Sequence, residues 1–237
     1  MNTQVDIIDR AARHLAQQFE ICEGEVYLEA SSGSEALTGS ADLDLSLQSY
    51  FQKIKDCTAC RLAKSRTKFV FGVGNDSADL MCIGEAPGRD EDLKGEPFVG
   101  AAGQLLDKML AAIGFARDEV YIANVIKCRP PSNRDPEPDE VMQCLPYLQQ
   151  QVALIKPKVI LVLGRIAARH LLECDESLSN LRLQTHSFGA ARVVVTYHPA
   201  ALLRNPQWKR KAWDDIQRVR KLYNDLVGDK GAFKKPA

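Results

Sequence analysis

The chain is bounded first by what it lacks. None of its apolar runs approaches the roughly 18 to 20 residues that a membrane-crossing helix needs. The opening stretch, MNTQVDIIDRAARHLAQQF, has no uninterrupted apolar segment, so a secretory signal is not expected. A cytoplasmic protein is the expectation, with no membrane partner. No internal repeat is visible. Net charge is absent too: 31 basic residues balance 31 acidic ones. The seven cysteines are an odd number, and they do not form the paired CxxC…CxxC spacing of a zinc ribbon. In a reducing compartment, disulfides are a poor explanation for them, and metal binding or redox chemistry a better one.

What is present supports a folded domain with a core of its own. At 237 residues the chain has room for one large domain, or one domain plus a tail, and 45% hydrophobic content suffices for a core. The charge balance hides an asymmetry. Residues 1–44 hold nine acids and two bases, so the remainder carries a net +7. A basic body is compatible with a polyanionic partner, although +7 is also compatible with plain solubility.

The pattern divides the chain into an acidic extension with a small-residue linker (1–42), a domain (43–228) and a short tail (229–237). Within the extension, Val5, Ile8, Ala12, Leu15 and Phe19 have helical spacing. In the domain, four apolar runs read as buried strands: 80–84, 120–125, 159–163 and 193–197. Helical stretches lie before the first strand and near 101–113, 137–154, 165–173 and 207–226. Such alternation predicts a parallel sheet covered on both faces, with functional loops at the carboxyl ends of the strands. Each strand run is followed by an unusual segment: GEAPG, IKCRPPSNR, GR and HPAALLR.

Cys57 and Cys60 form a CxxC, Cys128 follows the second strand, and Cys144 lies 16 residues further on. Four thiolates from two distant pairs suit either zinc or an iron–sulfur cluster. The alternative is that Cys128 and Cys144 are ordinary buried thiols.

Taken together, GEAPG…PFVG.AGQLL, NVIKCRPP.NR and HPAALLR resemble the family-4 uracil-DNA glycosylases, the type that carries an iron–sulfur cluster. The likeness spans about residues 45–225. It implies a three-layer α/β/α sandwich around a central four-stranded parallel sheet. It also implies a structural 4Fe–4S cluster on Cys57, Cys60, Cys128 and Cys144. The activity implied is hydrolysis of the N-glycosidic bond of uracil in single- or double-stranded DNA by a monomer.

That chemistry requires a flipped base in a pocket. Phe98 matches the aromatic on which the base stacks. Asn124, at the end of the second strand, carries an amide that accepts from uracil N3–H and donates to O4, the reverse of what cytosine presents. His198 matches the donor that stabilises the departing uracil anion. Glu85 and Glu91 are the candidates for holding the water or stabilising the cationic sugar. Ala86 stands where a better-known relative of this fold has a water-orienting Asp. The remaining acids of the loop, Asp90 and Asp92, read as solvated charges. Asn133 is expected at the pocket or on a phosphate. Arg129, Arg134 and Arg204 are expected on phosphates, with the run Lys209, Arg210 and Lys211 either beside them or on a solvated helix face. Leu202 and Leu203 are candidate wedges for the vacated base stack, or else core leucines at a helix start.

Competing readings are a covalent uracil-trapping relative, a non-catalytic iron–sulfur DNA-binding protein and a zinc-binding nucleotide enzyme. The first is disfavoured because 127–140 is short and contains no histidine.

Overall fold

The computed structural model describes residues 46–231. The acidic extension, its amphipathic stretch, its linker and the end of the tail lie outside the described residues.

Four strands are apolar along almost their whole length. β2 (Leu80–Gly84), β3 (Tyr121–Asn124) and β4 (Val159–Leu163) are wholly buried, and β6 (Ala191–Thr196) exposes only Arg192. They pair in parallel in the order β3-β2-β4-β6. The sheet extends beyond the expected four strands. β1 (Val73–Gly74) adds antiparallel to β3, and β5 (Thr185–Phe188) adds antiparallel to β6, giving six strands. Both additions are edge strands. One has two residues and the other, THSF, is only half buried, so neither leaves a hydrophobic run to detect.

Strand side chains alternate between two faces. Met81, Ile83, Ala123, Ile160, Val162, Val193 and Val195 join one cluster. It is completed by α1 (Leu47–Ile54), α4 (Pro138–Ile155), α5 (Arg165–Leu172) and α6 (Leu178–Leu181). Leu80, Cys82, Ile122, Val159, Leu161, Leu163 and Val194 join the other. That face is covered by α3 (Ala101–Ala112), α7 (Pro199–Arg204) and α8 (Lys209–Leu226). Burying each Val, Leu or Ile contributes about 1.5–3 kcal/mol, so both faces must be covered for strands this apolar. The result is the expected three-layer α/β/α arrangement.

Strand order reverses at β2. The chain leaves β2 for β3 on one side and returns past it to β4 on the other. A crevice at the carboxyl ends of β2 and β4 follows from that reversal.

Candidate active site

Every unusual loop noted in the sequence emerges at this end of the sheet. Gly84 ends β2 opposite Asn124, which ends β3, and the Val125 amide donates to the Gly84 carbonyl at 2.9 Å. The two positions are so close that a Cβ on Gly84 would lie 2.5 Å from Asn124 Oδ1 and 2.6 Å from the Phe98 ring. Only glycine permits this approach. The Phe98 ring in turn stacks on His198, centroids 5.5 Å apart and planes 29° apart. His198 follows β6, and its Cβ lies 3.0 Å from where a side chain on Gly164, the residue after β4, would begin. An amide and an imidazole from two strand ends, and an aromatic ring from the loop before α3 packed over a third, thus share a single site.

Asn124 is buried as a residue, its carboxamide makes no hydrogen bond among the described residues, and no wholly buried side-chain polar atom there lacks a partner, so the amide reaches the surface of the crevice. Its donor and acceptor are free for an incoming group. His198 caps α7: Ala200 N–H donates to Nδ1 at 3.2 Å. A nitrogen that accepts cannot carry the proton, so the neutral ring holds it on Nε2. Burial, helped by the nearby Arg204 charge and opposed by Glu91, pushes the imidazole down to about 4. His198 is therefore a neutral Nε2–H donor at physiological pH.

The two candidate glutamates differ. Glu85 follows β2, is pushed up to about 7 chiefly by burial and further by Asp135, and is opposed by Arg165. Glu91 instead lies in a short helix, α2 (Arg89–Lys94). Its carboxylate accepts from the backbone amides of Gly88 (3.1 Å), Val99 (2.9 Å) and Gly100 (3.1 Å). That grip brackets Phe98, whose φ of +53° is a strained conformation for a bulky side chain. From the other side α3 presses on the same residue, because a Cβ on Gly103 would lie 1.8 Å from the Phe98 carbonyl. The Glu91 carboxylate is thus committed to the backbone on either side of Phe98.

Other expected residues sort differently from their sequence reading. Ala86 is half buried against the core and offers no side-chain chemistry. Asp92 is not a solvated charge: it is buried, and its carboxylate accepts from the amides of Thr67 and Lys68. Leu202 is core, 1% exposed, whereas Leu203 is 44% exposed on the same short helix. Only Leu203 is free to wedge. Arg134 is not free for phosphate, since it makes a two-pronged pair with the buried Glu140 carboxylate at 2.6 and 2.9 Å. Arg61 reaches the same carboxylate at 3.0 Å, tying the CxxC segment to α4. Arg129 donates to Asn133 Oδ1 at 2.7 Å, and Asn133 is exposed rather than in the pocket. Arg204, Lys209, Arg210 and Lys211 are exposed. Sequence reasoning passed over Arg165. Exposed after Gly164, it makes no hydrogen bond or ion pair among the described residues, and its charge is felt by Glu85. The GR pair at a strand end was its only signal.

The four cysteines face a common region, each of Cys128 and Cys144 lying close enough for its ionisation to be disfavoured by the other thiols. Donors point at their sulfurs: Ala59 N–H at Cys57 (3.4 Å), the Arg66 guanidinium at Cys128 (3.3 Å) and Lys127 N–H at Cys144 (3.2 Å). Tyr147 Oη lies 3.1 Å from Cys57 Sγ. Burial pushes the Cys144 thiol up to about 12. Among the described residues no three ligating groups close around a single metal ion.

Comparison with known proteins gives this architecture its class. Residues 71–217 match the profile of the Uracil DNA glycosylase superfamily. The chain is 46% identical over 185 residues to a type-4 uracil-DNA glycosylase of Archaeoglobus fulgidus, covering 75% of this chain and 93% of that one. It is 42% identical over 186 residues to the type-4 enzyme of Sulfurisphaera tokodaii (75% and 84%), and 40% identical over 173 residues to that of Thermotoga maritima (71% and 90%). Within the superfamily, the chain belongs to the type-4 uracil-DNA glycosylases.

Proposed function

We propose that this protein is a monofunctional DNA-repair glycosylase that hydrolyses the N-glycosidic bond of uracil in DNA, leaving an abasic site. The observation that carries the proposal is the meeting of the uncommitted Asn124 amide, the neutral His198 and the loop-borne Phe98 ring over the carboxyl edge of the sheet.

The uracil flips out of the stack and lies on Phe98, a contact worth roughly 1–3 kcal/mol. Asn124 accepts from N3–H and donates to O4, and cytosine offers the reverse pattern. As the C1′–N1 bond breaks, its electron pair moves onto the base and charge gathers near O2, where His198 Nε2–H donates. A neutral donor suffices there, because the donor strengthens only as the anion forms. Glu85 accepts the proton of the water that adds to C1′, where positive charge has developed. A base with a pKa near 7 is well matched to this task. Glu91 preorganises Phe98 and does not touch the water.

Arg165 and Arg204, with Lys209, Arg210 and Lys211, grip phosphates, and Leu203 fills the vacated stack. Both single strands and duplexes are substrates, acted on by a monomer. Cys57, Cys60, Cys128 and Cys144 hold a 4Fe–4S cluster. The fit rests on the donor set: four thiols with amide and guanidinium hydrogens aimed at three of them. Bound there, the cluster supplies cross-linking of the chain, not chemistry at the base.

Release of uracil from a uracil-containing oligonucleotide, read as strand cleavage after alkali, tests the proposal. Activity in the wild type and its loss in Asn124→Ala and His198→Ala are expected. An inactive, folded wild type would leave a non-catalytic DNA-binding protein as the better reading.

A further inference from the structure

Lys127 lies in the IKCRPP segment between the strand that carries Asn124 and the first of the second pair of cysteines. Its side chain is fully buried. Lysine is almost never buried without compensation, and a methionine would fill the same space without an ammonium to desolvate. The compensation here is directed. Nζ donates to the Asn124 main-chain carbonyl at 2.8 Å and to Gln151 Oε1 at 2.6 Å. Gln151, equally buried on α4, donates onward to the Phe71 carbonyl at 3.0 Å and to Tyr121 Oη at 3.2 Å. The Lys127 main chain is fixed as well: its N–H donates to Cys144 Sγ at 3.2 Å and its carbonyl accepts from Val70 N–H at 2.9 Å.

All of this converges on one peptide. The Asn124 residue is held on one side by pairing with Gly84 and on the other by the Lys127 Nζ hydrogen bond, while its carboxamide is left unbonded. A reading group without anchors of its own must take its direction from its backbone. We propose that Lys127 is a positioning residue for base recognition, fixing the Asn124 main chain so that the carboxamide keeps one aim. Gln151 is the second link of the same device. The inference rests on the reading of Asn124 as the group that recognises uracil.

The test is a double-mutant cycle in the full-length protein: Lys127→Met, Asn124→Ala and both together. Readouts are single-turnover uracil excision and inhibition by free uracil, with absorbance near 400 nm and thermal midpoint as controls for the fold. Lys127→Met is expected to lower excision on the order of 100-fold, as a misplacement of about 1 Å does, and to weaken inhibition by uracil. The double variant is expected to be no worse than Asn124→Ala alone. Losses that multiply, or a folded Lys127→Met with wild-type excision, overturn the proposal. Gln151→Leu provides a second arm, with a smaller loss that likewise vanishes in the Asn124→Ala background. Loss of the fold in both Lys127→Met and Gln151→Leu assigns the pair to the core and overturns it too. Unimpaired Asn124→Ala instead defeats the recognition reading beneath it.

Discussion

At the scale of single residues, Glu85 and Glu91 lie six positions apart and have opposite energetics. Glu85 is costly to bury as an anion, which is why its pKa is raised to about 7. Its basic form is lost as pH falls through that value, so log kcat/KM should drop about one unit per pH unit below 7. His198, neutral down to about 4, contributes nothing to that limb. Glu85→Gln should be slow and should flatten the limb while remaining at least as stable as wild type. Glu91→Ala should behave the other way. It strips three backbone amides of a charged acceptor, an expected loss of about 2–4 kcal/mol that a denaturant titration would show. Equal stability of Glu91→Ala and wild type would refute the clamp. No feature of GEAPGRDEDLKGEPFVG separates these roles in sequence. Both glutamates are acids in one loop, and only the turn that brings Val99 and Gly100 back over α2 decides between them. Asp92 was misread for the same reason, because its amide partners come from residues 67 and 68, far away in the chain.

At the scale of elements, the parallel strands were legible because burial on both faces leaves runs of four to six apolar residues that no other element resembles. The edge strands β1 and β5, and the short helices α2 and α7, were not, since six or fewer residues carry no usable period. The consequence shows in HPAALLR, where α7 turns adjacent leucines to opposite environments. Leu202→Ala should cost about 2–5 kcal/mol of stability by opening a cavity between α7 and α3. Leu203→Ala should leave the thermal midpoint nearly unchanged and slow excision from duplex DNA more than from single strands, where no stack needs filling. Comparable slowing on both substrates would remove Leu203 from the wedge role. Arg165, at the start of α5, belongs to the same rim. Arg165→Ala should reduce the slope of log affinity against log salt by about one, and an unchanged slope would mean that it meets no phosphate.

At the scale of the whole molecule, three chain segments far apart in sequence meet at the cysteines: the loop after α1, the end of β3 and the middle of α4. The sequence supplied the four thiols but not the contacts around them, because the Arg66, Tyr147 and Lys127 partners are set by the packing of α4 against the sheet. That packing is itself reinforced by Arg61 and Arg134 on the Glu140 carboxylate, held well below the usual carboxylate range by the Arg134 hydrogen bond. The proposed cluster, held by the four thiols, would close a loop from residue 57 to 144, and the gain from closing so long a loop is a property of the unfolded chain. Its removal should therefore act on stability first and on chemistry only indirectly. If the proposed cluster is held there, Cys60→Ser, which takes away one of the two half-exposed thiols of the CxxC, should bleach the absorbance near 400 nm and lower the thermal midpoint by several degrees. Whatever folded protein remains should keep the acid limb near pH 7, because burial after β2 is the main cause of the Glu85 shift, and Asp135 and Arg165 are smaller, opposing contributions. A bleached variant with an unchanged midpoint would deny the cluster its structural role, and a displaced limb would show that it reaches the base-excising site after all.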